Sequence, residues 1–279
     1  MSDEVLVERR GAVQVITINR PEARNALNGA VAAGIRDAAD ELDADGALRV
    51  GVLTGAGGTF SSGMDLKAFL RGETPSFPGR GLCGITQTPP RKPLIGAAEG
   101  WALAGGFELL LACDLVVAGA SARFGVPEVK RGLVAGAGGA LLLARRIPRA
   151  LALEMILTGD PFDARRAAEI GLVNRLTTEG AALAGALELA ATIGAGLGFR
   201  ALARELLDFL PVLGWAVKGA VAYAGTRALG EAAVRYCEAR TATQPQPDHQ
   251  FNVPIEGSPG VPAPCVSGPA TWRARPPCR

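Results

Sequence analysis

Histidine is almost missing from this chain of 279 residues: the single copy, His249, lies in the stretch QPQPDHQ near the C-terminus. A Ser-His-Asp triad would have to recruit it from a Pro-rich region, and a metal site built on two histidines is excluded. Cysteine is sparse as well. The five copies (Cys83, Cys113, Cys237, Cys265, Cys278) are odd in number and have no CxxC spacing, which gives no sign of a disulfide framework or a paired redox motif. Cys83 and Cys113 sit in apolar surroundings and read as buried free thiols, suited to a reducing cytoplasm.

Long uncharged apolar runs are also missing. Glu99, Glu108 and Asp114 interrupt one candidate, and Asp208, Lys218 and Arg227 another, so no membrane-spanning helix is expected. The N-terminus, MSDEVLVERR, carries acids and no apolar h-region, unlike a secretory signal. Charge of one sign is lacking too. Lys plus Arg total 29 against 27 Asp plus Glu, a net +2. That excess comes from Arg240 onward, where four arginines face two acids, so residues 1–239 are neutral. A neutral body without a basic stripe argues against a nucleic-acid partner.

What is present is ample apolar material, 48% of the chain, enough for a sizeable core. Residues 5–9 and 13–19 are β-rich and flank Arg10-Gly11, a hairpin pattern. Asn25 or Asn28 can cap a helix carrying Val31, Ile35, Ala38 and Leu42 at spacings of three and four. Short strands are expected at 50–54, 93–99, 114–118 and 172–176, with helices following Gly105-Gly106 and over 137–144, 149–157 and 178–193. Asp163 is placed to cap the helix ARRAAEIG. Residues 71–93, rich in Gly and Pro, read as a mobile connection. Strands alternating with helices define an α/β fold. The chain divides into a core over 1–195, a helical segment of atypical sequence over 196–240 and a tail over 241–279. The tail holds nine of the nineteen prolines and is expected to be disordered.

With histidine and cysteine chemistry set aside, carboxylates and backbone amides remain. Two Gly-rich turns enter helices, at Ser61-Ser62-Gly63-Met64-Asp65 and at Ala104-Gly105-Gly106-Phe107-Glu108. Helix starts leave N–H groups unpaired, and two facing each other would make an oxyanion hole of amides. Taken singly, each is equally an ordinary strand-to-helix turn. The tetrapeptide GAGG, at 55–58 and 136–139, lacks the Lys-Ser/Thr of a phosphate loop and reads as tight turns and close packing. Four acids, Glu99, Glu108, Asp114 and Glu128, stand among apolar residues, and a buried acid has a partner or a task.

Together, RPEARNALN, FSSGMDLKAF, PLIGAAEGWALAGGFELLLACDLVVA, ARFGVPEVKRGLVAGAGG and ALEMILTGDPFDARRAAEIGLVNRL resemble the enoyl-CoA hydratase/isomerase (crotonase) superfamily over roughly residues 5–193. The resemblance implies a spiral of ββα units, assembled as a homotrimer or dimer of trimers. It implies an acyl-CoA thioester substrate, with coenzyme A as part of the substrate and no metal or other cofactor. By position, the oxyanion-hole amides would be those of Met64 and Gly105, and the two catalytic glutamates Glu108 and Glu128. Ala23, Arg24, Ser62, Asp65, Leu66 and Lys67 would line the CoA groove. The implied reaction is reversible hydration of a 2-enoyl-CoA. A Δ3,Δ2-enoyl-CoA isomerase, a specialised dehydratase and a catalytically weak acyl-CoA binder stay open as alternatives. After Ile193 the sequence departs from the family pattern.

Overall fold

The computed structural model describes residues 3–208, with side chains to residue 196. Strands β1 (Val5–Arg10) and β2 (Val13–Ile18) form the expected hairpin around Gly11, and α1 (Gly29–Ala44) follows. Then come β3 (Val50–Gly55), α2 (Leu66–Leu70), the short pair β4 (Ser76–Phe77) and β5 (Gly81–Leu82), β6 (Leu94–Ala98), β7 (Trp101–Leu103) and α3 (Gly105–Ala112). The chain continues through β8 (Leu115–Gly119), β9 (Arg123–Gly125), α4 (Gly139–Arg146), α5 (Arg149–Thr158), β10 (Phe162–Asp163), α6 (Ala164–Glu169), β11 (Arg175–Thr177) and α7 (Ala182–Asp208).

The main sheet has the order β1-β2-β3-β6-β8-β11, parallel throughout except for the β1–β2 hairpin. A parallel sheet needs cover on both faces, and the sequence supplies it. On one face lies α1, whose Val31, Ile35, Ala38 and Leu42 are buried as their spacing predicts. On the other lies α7, whose Ala182, Ala186 and Ala190 meet Val50, Val52, Ile95 and Val117. Small residues four apart let that helix approach the sheet closely.

A second, narrower sheet explains how the chain advances. β7 pairs parallel with β9, and Ser61 bridges Ala102 of β7 in parallel. Each of β3, β6 and β8 therefore runs through the main sheet, turns, crosses the narrow sheet and leaves toward a helix or helical turn. Three such passes stack as a spiral of ββα units, the architecture expected.

Several local expectations are corrected. Asn28, not Asn25, caps α1, its Oδ1 accepting from the Val31 N–H at 2.8 Å. Asn25 sits at φ +55 and pins a loop instead. Residues 71–93 are not a loose connection. The Arg80 guanidinium grips Asp40 at 2.7 and 2.8 Å, Cys83 and Ile85 are buried, and Arg36 lies over the Phe77 ring. The last strand is shorter than expected, because the N–H groups of Leu172 and Val173 both turn back to the Ala167 carbonyl. Helix α7 runs through the compositional shift at Ile193 without a break. The helical stretch expected beyond residue 208 and the Pro-rich tail lie outside the described residues, as do His249 and the last three cysteines. Among the described residues no helix is long and apolar enough to cross a membrane.

Candidate active site

The first two passes of the spiral bring the two amides together. After β3 the chain reaches Ser61, whose N–H donates to the Trp101 carbonyl at 2.9 Å and whose carbonyl accepts from Leu103 at 3.0 Å. Residues 61–64 are thereby laid alongside β7. Leu27 accepts from Asp65 N–H and donates to the Gly63 carbonyl, at 2.9 and 2.8 Å. In that parallel bridge the Met64 N–H points away from Leu27. On the next pass, Ala104 N–H donates to the Gly125 carbonyl at 3.0 Å. Ala104 itself stands at φ +50, ψ −127, a conformation costly for any residue with a Cβ. A Cβ on Gly105 would lie 3.6 Å from the Met64 nitrogen, so the two amides are neighbours. Neither has a hydrogen-bond partner among the described residues.

Close packing holds this arrangement. A Cβ on Gly106 would stand 2.5 Å from the Ser61 carbonyl oxygen, which leaves room for glycine alone. Phe107, in the first turn of α3, packs tilted against Phe124 at 5.9 Å and edge-on against Phe162 at 5.8 Å between ring centroids. That fixed first turn carries Glu108.

A cavity of about 460 Å³ joins these parts. Its walls include Met64, Gly105, Glu108 and Glu128, with Ser62 and Leu66 on the same side. Glu108 is 3% exposed. Its Oε1 accepts from the Ala137 and Gly139 N–H groups at 2.9 and 2.8 Å. Burial raises its carboxyl above the ordinary carboxylate range, the Gly139 N–H opposes the shift, and the nearby Glu128 charge and the Ala137 N–H act up and down in turn. Glu128 rides on the helical turn Pro127–Arg131. Burial raises it too, opposed by its own backbone N–H, and its Oε2 is sealed from solvent without a partner. Two carboxyl groups of raised proton affinity lining one cavity can exchange protons with a substrate whose oxygen the two free amides hold.

The remaining predicted residues are placed as follows. Ala23 closes the helical turn Pro21–Ala23, and Arg24 follows it at φ +53. The Arg24 carbonyl accepts from Ser62 N–H at 3.0 Å, so both loops lie side by side. Ala23, Arg24, Asp65 and Lys67 are not among the cavity's lining residues. Asp65 caps α2 through the Lys67 and Ala68 N–H groups and pairs with Arg20 at 3.0 Å. The cap lowers the Asp65 carboxyl below its ordinary range, helped by Arg20 and countered by burial. The other two acids also have partners. Glu99 accepts from Ala182 N–H at the start of α7, and Asp114 from Leu94 N–H.

Sequence reasoning missed Arg20, which reaches both Glu4 and Asp65, and Arg131, Leu133 and Val134 on the cavity wall. It also missed that the second GAGG faces Glu108. A glycine-rich loop in a chain with a buried acid was the available signal.

Comparison with known proteins places the chain in a family. The family model for enoyl-CoA hydratase/isomerase matches residues 8–204. The chain is 42% identical over 218 residues to enoyl-CoA hydratase EchA19 of Mycobacterium tuberculosis, covering 74% of this chain and 80% of that one. It is 39% identical over 194 residues to a carnitinyl-CoA dehydratase of Salmonella enteritidis, covering 68% and 74%. The crystal structure of enoyl-CoA hydratase EchA1 from Mycobacterium marinum superposes with a TM-score of 0.70 at 49% identity, over 85% of this chain and 97% of that one. The chain belongs to the enoyl-CoA hydratase/isomerase family, and its fold is the crotonase fold.

Proposed function

We propose that this protein is an enoyl-CoA hydratase, adding water reversibly across the C2–C3 double bond of a 2-enoyl-CoA thioester. The observation that carries the reading is the meeting of two unpaired amides, Met64 and Gly105, with two buried glutamates of raised proton affinity in one cavity. Attack of water at C3 moves electron density onto the thioester oxygen, and two amides aimed at that oxygen stabilise the enolate-like transition state. In this reading ionised Glu108 takes a proton from the water as its oxygen bonds to C3. Protonated Glu128 delivers a proton to C2. Neighbouring acids resist ionising together, which favours one proton held by the pair, and a proton passed back through water resets it. The reverse direction dehydrates a 3-hydroxyacyl-CoA with the same groups. The CoA moiety, part of the substrate, is assigned to the groove beside Ala23, Arg24, Ser62, Asp65, Leu66 and Lys67.

The test follows loss of the conjugated thioester absorbance of crotonyl-CoA. Gly105→Pro deletes one amide and is expected to lower turnover by about 100-fold or more, with the circular dichroism spectrum unchanged. Met64→Leu keeps its amide and is expected to stay active. Equal losses overturn the amide assignment, and faster conversion of a 3-enoyl-CoA than hydration of the 2-enoyl isomer overturns the hydratase in favour of an isomerase.

A further inference from the structure

The loop at 136–139 treats the two oxygens of Glu108 unequally. Oε1 accepts both N–H groups, from Ala137 and Gly139. No hydrogen bond to Oε2 is found among the described residues, and it is not sealed off as Oε2 of Glu128 is. The loop is shaped for this contact. Gly138 turns at φ +107, and a Cβ on Gly139 would stand 2.9 Å from Glu108 Cγ and 3.0 Å from Oε1. Resting on the hydratase reading, we propose that Ala137 and Gly139 are positioning residues that assign Glu108's oxygens separate tasks, Oε1 as a fixed acceptor and Oε2 as the oxygen that takes the proton of the water.

The chemistry follows from the donor count. Two N–H groups occupy the lone pairs of Oε1, so a proton arriving at this carboxylate resides on Oε2. As one O–H bond of the water breaks, that proton goes to Oε2 and the water oxygen bonds to C3. The C2–C3 electron pair shifts into the thioester enolate, and C2 then takes its proton from Glu128. The same two N–H groups favour the charged carboxylate against its burial, keeping Glu108 available as a base. Glu128 and Arg131, on the turn Pro127–Arg131, are the charged groups that share the cavity wall with it. The loop at 136–139, the first turn of α4 and the α2 side of the cavity bring none.

The experiment measures kcat and KM against pH for wild type, Ala137→Pro and Gly139→Ala. Ala137→Pro removes one donor to the carboxylate. The acid limb of its kcat profile is expected to move up by about one pH unit or more, with kcat at neutral pH down about 10-fold and KM nearly constant. Gly139→Ala retains its donor but displaces the carboxyl, so kcat is expected to fall with a smaller movement of the limb. If Ala137→Pro does not fold, Gly139→Ala decides the matter. A limb that stays in place while KM rises overturns the proposal. Titration of Glu108 in carboxyl-labelled protein, followed by carbon NMR, reads the cradle without turnover. An unmoved midpoint in a folded variant sinks the proposal, whereas a midpoint that moves in the variant while wild type itself hydrates nothing sinks the hydratase reading instead.

Discussion

The tetrapeptide Gly-Ala-Gly-Gly occurs at 55–58 and again at 136–139, and the two copies use opposite sides of their peptide groups. The first offers carbonyls: Ala56 and, just beyond it, Thr59 accept from Nδ2 of Asn25 at 2.8 and 2.6 Å. The second offers N–H groups, from Ala137 and Gly139, to Oε1 of Glu108. The first is crowded by backbone, since a Cβ on Gly55 would meet the Thr59 and Phe60 carbonyl oxygens. The second is crowded by the acid it holds. What differs is the partner across from each loop, a side-chain donor in one case and an acceptor in the other. The same four residues serve as a structural corner and as part of a proposed reaction centre.

Three measurements press on that contrast. The largest effect is expected from the acid that the second copy holds. Glu108→Gln and Glu128→Gln should each slow hydration of a short 2-enoyl-CoA by about 10²–10⁴-fold, the range for loss of a general acid or base. The double variant should be little worse than the worse single one, because both groups act on one transition state. A Glu108→Gln enzyme with most of its turnover would leave the second loop no more than another corner.

A smaller effect, in stability rather than rate, is expected from the first copy. Gly55→Ala forces a methyl group against two carbonyl oxygens that cannot swing away. It should cost about 1–3 kcal/mol and lower Tm by several degrees, with turnover per folded molecule unchanged. A fall in specific activity with Tm intact would show that the corner also shapes the site.

The smallest effect concerns pH. The Glu108 carboxyl is raised in the folded protein, chiefly by burial, so the native state favours the protonated form more than the unfolded chain does. Its stability contribution is intact below the ordinary carboxylate value and is lost as pH rises through the raised one, at about 1.4 kcal/mol per unit of displacement. Gln stays neutral and still offers an oxygen to the two N–H groups. The Tm of Glu108→Gln minus that of wild type should therefore be near zero around pH 4 and positive at pH 8. A difference that is flat with pH would mean the cradle already compensates for burial.

How much of this was legible in the sequence follows the range of the interactions. Helix α1 and the cap at Asp163 were readable because apolar spacing and capping are local; Asp163 Oδ1 does accept from Arg166 N–H. The three-residue strands β7 and β9 were not, because they are too short for any alternation and exist through pairing with each other and with Ser61. The positive φ of Ala104 carries no mark in the letters, since alanine resists it elsewhere. Glu108 and Glu128 stood out as acids among apolar residues, but so did Glu99 and Asp114, and the partners that separate them lie far along the chain. Asp65 was placed on the CoA groove by resemblance, while its two cap bonds and its pair with Arg20 are what its position in the fold provides.

The stacked passes at Ser61, β7 and β9 have a consequence for how such a chain changes over generations. The spacing of the Met64 and Gly105 amides is written in main-chain pairing, from Ser61 to Trp101 and Leu103 and from Ala104 to Gly125. The pairing itself uses main-chain atoms, so it asks of those side chains only that they fit the space around it. The two acids, by contrast, are single letters that one base change can rewrite. In the proposed reading, the grip on a thioester is inherited with the backbone, and the choice of reaction is edited separately.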